Sequence, residues 1–111
     1  MTDQEAFETM VRHGREQGRK SLNRQGKCRY RGKNGTKCFV GALIPDADYT
    51  VMLEGKPAIS LSRVLPCLRG LSPSMLHQMQ AIHDRDEMEA WESAFSSVAD
   101  IFNLTIPPLK K

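Results

Sequence analysis

Six side chains in this sequence could ligate a metal or serve as nucleophile and base: Cys28, Cys38, Cys67, His13, His77 and His83. A structural zinc site draws two ligands from one tight turn, which calls for a close pair such as Cys-x2-Cys. Cys28 and Cys38 have nine residues between them. They suit two small side chains facing a core, the habit of free cysteine. A cysteine activated by a histidine is the other use. No spacing sets a histidine beside a cysteine, and a bare count of the two types carries no mechanism. His83 falls on an apolar stripe just before Asp84, where a hydrogen-bonded core or helix-end histidine belongs. The carboxylates Asp46 and Asp48, and the group Asp84, Asp86 and Glu87, precede expected helices, where capping accounts for them. Gly32, Gly35 and Gly41 match neither GxGxxG nor the Walker pattern. The expectation is therefore no catalytic residue, no metal, no cofactor and no enzymatic activity.

The charge pattern says more. Residues 12–37 carry ten Lys or Arg (Arg12, Arg15, Arg19, Lys20, Arg24, Lys27, Arg29, Arg31, Lys33, Lys37) against one acid, Glu16. Segments 1–11 and 46–111 are each net −3, so the overall +3 is one basic block in an otherwise acidic chain. Such a block attracts a polyanion or an acidic protein face. The residues expected to bind are Arg12, Arg15, Arg19, Lys27, Arg29, Tyr30, Arg31, Lys33 and Lys37, with Tyr30 offering a ring on which a base could stack.

These residues need elements to position them. Thr2-x-x-Glu5 is a capping box. It opens a helix over about 3–17, with Phe7, Met10, Val11 and Gly14 inward and Gly18 as terminator. Cys28-Arg29-Tyr30-Arg31 alternates in character, Asn34-Gly35 is a strong turn signal, and Lys37-Cys38-Phe39-Val40 would return. This predicts a short β-hairpin with Cys28 and Tyr30 on the core and the arginines in water. Residues 41–44 either close the return strand or begin a helical turn before Pro45. Asp46 can cap one or two turns that Gly55 ends. A short helix is expected within 59–71, capped by Ser60 or Ser62, with Pro66 in its first turn or breaking it. Ser72-Pro73 starts a helix over about 73–84 with a stripe of Met75, Leu76, Met79, Ile82 and His83. Asp86-x-x-Glu89 starts the last, over about 87–103, with Met88, Trp91, Phe95, Val98 and Phe102 inward. Residues 104–111 read as a tail.

The fold class expected is thus α+β: a single, mainly helical domain over 1–111, with three clear helices and one short hairpin. At 111 residues it suits one domain. No apolar run reaches the 18 residues of a membrane span. The acidic, amphipathic start is no signal peptide, and three cysteines without one suggest reduced thiols in a cytoplasm.

The central stretch resembles a family of small proteins of bacteria, phages and plasmids. Its pattern is Cys-x-Tyr-Arg-Gly (28–32), Gly-x-Lys-Cys (35–38), Val-Gly-Ala-Leu-Ile-Pro-Asp (40–46), Tyr49, Glu54-Gly55, then Gln80-x-x-His83-Asp84 and a helix with Trp91. The chain departs from it in its basic 28–37 segment and in Phe39, where a small residue is expected. The resemblance carries no catalytic residues. By association with mobile elements it implies a role in conflict between phage and host, as a stoichiometric binder of the anti-CRISPR kind. The expected function is a non-enzymatic inhibitor of a bacterial defence complex, working in the host cytoplasm through a basic surface. Its partner would be an acidic protein face or nucleoprotein complex of the host. The alternative is a general accessory protein that binds DNA or RNA.

Overall fold

A computed structural model describes residues 1–109. Four α-helices are present: α1 Asp3–Gln17, α2 Ala58–Val64, α3 Pro73–Arg85 and α4 Trp91–Phe102. Six short 3-10 turns link them, three of which (Gly41–Leu43, Asp46–Asp48, Val51–Leu53) follow in close succession. α2 packs on α3, α3 on α4, and α1 on the Gly41–Leu43 turn.

The helix ends follow local chemistry. Thr2 accepts from the Glu5 amide while Glu5 accepts from the Thr2 amide, closing the capping box. Gly18 ends α1 in the left-handed region, φ 65°. Ser72 caps α3 through the Met75 amide, with Pro73 in the first turn. Three starts differ from expectation. Pro57, not Ser60 or Ser62, precedes α2, and Pro66 begins a separate 3-10 turn after it. No side chain caps the start of the last helical segment, so Asp86 and Glu89 form no capping box, and the helix proper begins at Trp91. Asp46 caps nothing; it pairs with Arg31 and Lys37 instead.

The expected hairpin is not formed, and the fold is all-α rather than α+β. Among the described residues there is no strand, only two isolated antiparallel bridges, Leu22 with Cys28 and Arg31 with Lys37. The turn at Asn34-Gly35 is real, with Asn34 and Gly35 at positive φ. The two limbs share the backbone hydrogen bonds Gly32 N–H to the Thr36 carbonyl (2.9 Å) and Cys38 N–H to the Tyr30 carbonyl (3.2 Å). Pairing stops where the Cys38 carbonyl accepts from the Ala42 amide instead and side chains hold the outer edges. Glu54 accepts from the amides of Tyr30 (2.9 Å) and Arg31 (3.1 Å). At Lys37 the amide donates to Gln17 Oε1, while the carbonyl accepts from Gln17 Nε2 and His13 Nε2, all at 2.8 Å. A backbone group can be satisfied by side chains as well as by a neighbouring strand.

The core centres on Phe39. Its ring meets His83, Trp91 and Phe95 edge-on, with centroids 5.4, 4.9 and 5.4 Å away. Met75, Leu76, Met79, Ile82 and His83 of α3 are all buried, as their spacing required. Gly14 of α1 makes room: a Cβ there would lie 2.7 Å from Phe39 Cε1. No helix among the described residues is long and apolar enough to cross a membrane.

Candidate functional site

The cationic block sits largely on an irregular loop, residues 19–37, built from two tight turns. In the first, Asn23 Oδ1 accepts from the amides of Gln25 and Lys27, and the Asn23 amide donates to the Lys27 carbonyl. In the second, Thr36 donates through its hydroxyl to the Lys33 carbonyl. The two are tied where the Lys33 amide donates to the Leu22 carbonyl at 2.9 Å. Gly32 is required at this crossing, because a Cβ would fall 2.6 Å from the Leu22 nitrogen. Gly41 is as tightly placed, 2.2 Å from the Tyr30 carbonyl oxygen by the same measure.

The nine residues expected to bind divide into two groups. Several have become part of the scaffold. Arg15 makes a two-pronged contact with Glu92 (2.8 and 2.7 Å) and donates to the carbonyls of Pro107 and Pro108, clamping the C-terminal segment onto α1. Arg31 donates to Asp46 and to the Ile44 carbonyl, both at 2.6 Å, and stacks on Tyr49. Arg29 lies against Glu54, and Lys37 against Asp46. The Tyr30 ring is 3 % exposed, so it offers no face to a base. Its hydroxyl donates to the Lys56 carbonyl and accepts from Gln80. Arg12 is exposed and pairs with Glu8 one turn earlier.

The other group faces solvent. Arg19, Lys27 and Lys33 are exposed. Exposed Arg24 and half-buried Lys20, which were not among the nine, join them. None of these five forms an ion pair among the described residues. All of them but Lys27 border two depressions that share Lys33. One, about 390 Å³, is lined by Arg24, Arg29, Arg31 and Lys33 with Asn23 and Gly32. The other, about 310 Å³, is lined by Arg19, Lys20, Lys33 and Asn34, with Glu87 and Met88 at its edge. The signal for Arg24 and Lys20 lay in the charge block itself; what sequence withheld was which cations the scaffold would consume.

A further cleft of about 490 Å³ separates this loop from α3, lined by Cys28, Tyr30, Glu54, His77, Gln80 and Asp84 among others. Its chemistry is muted. Burial pushes the Cys28 thiol up to about 11, with Asp84 adding to the shift. Cys38, wholly buried, is pushed up to about 12. Burial raises the Cys67 thiol and the Tyr30 hydroxyl as well. A thiol held protonated is a poor nucleophile. Both ends of Gln80 are engaged, Oε1 by the Ala58 amide and Nε2 by Tyr30.

Cys28, His83 and Asp84 bring three ligand atoms within 4.8 Å of one another. The hydrogen bonds oppose a metal there. The Ser21 amide, an obligate donor, lies 2.9 Å from His83 Nε2, so that nitrogen carries no proton. The proton is then on Nδ1, donated to Asp84 at 3.0 Å. A metal on Nδ1 would drive the proton to Nε2, against the Ser21 N–H. His83 instead pins the loop to α3.

Comparison with protein-family models, curated proteins and solved structures gave no match.

Proposed function

We propose that this chain is a non-enzymatic binding protein, encoded by a phage or mobile element, that inhibits a bacterial defence complex in the host cytoplasm by docking its cationic loop. The observation that carries this reading is the group Arg19, Lys20, Arg24, Lys27 and Lys33, which the fold holds on one loop and leaves without ion pairs among the described residues. Charges that perform no internal work are those best suited to a partner of opposite sign. The weak nucleophilicity of the thiols supports binding over catalysis. The defence-complex target rests on the resemblance of the 28–46 segment to proteins of mobile elements.

The test is phage plating on a host protected by a CRISPR-type system. Expression of the chain restores plating, and Lys20→Glu with Lys33→Glu abolishes the effect at unchanged protein level. Arg29 and Arg31 are unsuitable for charge reversal, because both hold the loop together. No restoration by the wild-type chain, or restoration indifferent to the double reversal, overturns the proposal.

A further inference from the structure

We infer that the exposed Asn34-Gly35 pair is a self-modification site: Asn34 loses its side-chain amide to water and leaves a carboxylate within the cationic loop. The inference goes beyond the docking role and stands without it. The route is ring closure by the chain's own backbone. The Gly35 amide nitrogen attacks Asn34 Cγ and an N–Cγ bond forms. The Cγ–Nδ2 bond breaks, and Nδ2 leaves as ammonia with the proton that the Gly35 amide gives up. One water then opens the cyclic imide at either carbonyl. The product is aspartate, or isoaspartate with the main chain running through Cγ. Nothing is oxidised or reduced, and each conversion adds one negative charge.

Three observations single out Asn34 among the three asparagines of the chain. Its carboxamide is uncommitted: Asn34 is exposed, and its side chain makes no hydrogen bond among the described residues. Asn23, by contrast, has Oδ1 held by the amides of Gln25 (2.9 Å) and Lys27 (3.0 Å). The attacking residue carries no side chain to hinder closure: Gly35 is exposed, with nothing within 4 Å of where a Cβ would lie. After Asn103 comes Leu104, whose amide is tied to the Ala99 carbonyl at 2.8 Å. The third observation is charge. Asn34 edges the depression lined by Arg19, Lys20 and Lys33, with Glu87 the one carboxylate there. Such cations favour the deprotonated amide that attacks, and they gather hydroxide. The turn sets the pace. Asn34 lies in the left-handed region, φ 60° and ψ 31°, and closure swings the Gly35 nitrogen toward the Asn34 side chain. The turn therefore opens first, as an exposed loop tip does without unfolding of the domain.

The new carboxylate stands next to Lys33 in the sequence, and isoaspartate lengthens the backbone by one methylene inside the turn where Thr36 donates to the Lys33 carbonyl. The loop thus loses positive charge with age. To test this, the full chain is incubated at pH 7 and at pH 9 and mapped by mass spectrometry of its peptides. Isoaspartate is counted by enzymatic carboxyl methylation, and the fluorescence of buried Trp91 checks that the chain stays folded. Asn34 should convert about tenfold faster, or more, than Asn23 and Asn103. Its rate should rise with pH, and isoaspartate should be among the products. Three results overturn the site: conversion of Asn34 no faster than that of the other two, a rate indifferent to pH, or aspartate as the sole product, which marks direct hydrolysis without ring closure. All three are read on the isolated chain, so none of them depends on the outcome of phage plating.

Discussion

Glu54 is the side chain on which the cationic loop hangs, and replacing it with alanine is the sharpest test of this account. Its carboxylate accepts from the Tyr30 amide (2.9 Å), the Arg31 amide (3.1 Å) and the Tyr49 hydroxyl (2.7 Å), and lies beside Arg29. The side chain is only 13 % exposed, so water replaces these contacts poorly. A hydrogen bond to a charged group contributes about 1.5–3 kcal/mol. The two amides alone then put the loss at about 3–5 kcal/mol, allowing for partial rehydration. That is a large share of the roughly 5–15 kcal/mol that stabilises a domain. Trp91, the single tryptophan, is buried in the core and reports unfolding by fluorescence. Urea titration should show Glu54→Ala reducing stability by that amount, and Glu54→Gln by about half, because an amide oxygen still accepts from one of the two donors. A loss below about 0.5 kcal/mol, the scatter of an ordinary surface change, would refute the claim that Glu54 organises the loop.

Three further outcomes follow from the packing and the thiols. Gly14→Ala should destabilise the chain by about 1–3 kcal/mol, the usual cost of overpacking, although alanine is the better helix former; the new Cβ meets the buried Phe39 ring at 2.7 Å. Urea titration of Gly14→Ala against Gly14→Ala with Phe39→Leu checks this, since the smaller side chain should recover part of the loss. At pH 8 the native thiol of Cys28 should react with a disulfide reagent about a hundredfold more slowly than in the unfolded chain, because burial pushes its pKa from 9.0 to about 11 and leaves less thiolate. The sign for stability follows: folded thiols keep their protons longer, so this contribution is whole below pH 9 and declines as pH rises toward about 11 for Cys28 and about 12 for Cys38. Denaturation monitored between pH 8 and 11 should show that decline.

What was legible in the sequence was what repeats. The stripe of α3 and the capping box of α1 are short-range signals, and both elements formed where they pointed. The 28–40 segment misled because its alternation is genuine yet serves another purpose. Tyr30 does turn inward and Cys38 is buried, as the pattern implied. Gly32 still pairs with Thr36 and Cys38 with Tyr30, but the outer edges are held by Glu54, Gln17 and His13, residues up to 24 positions away. No local rule foresees that a distant carboxylate will outcompete a neighbouring strand. The candidate surface was legible in the same partial way. The charge excess was visible, but the division into structural and exposed cations depends on where Asp46, Glu54 and Glu92 arrive. The bulk of Phe39 is matched by Gly14, a fit that only the packing reveals.

The attachment of the loop through side chains has a kinetic meaning. A sheet can nucleate from its own turn, but among the described residues this loop has only two isolated bridges to start from. Its amides at Ser21, Tyr30, Arg31 and Lys37 wait for an imidazole on α3, a carboxylate beyond the Val51–Leu53 turn and an amide side chain at the end of α1. Its two turns can form locally, but its attachment to the rest of the chain is complete only once those elements have met. The position of the loop backbone, and with it the points from which its charges project, is thereby tied to the packing of the domain.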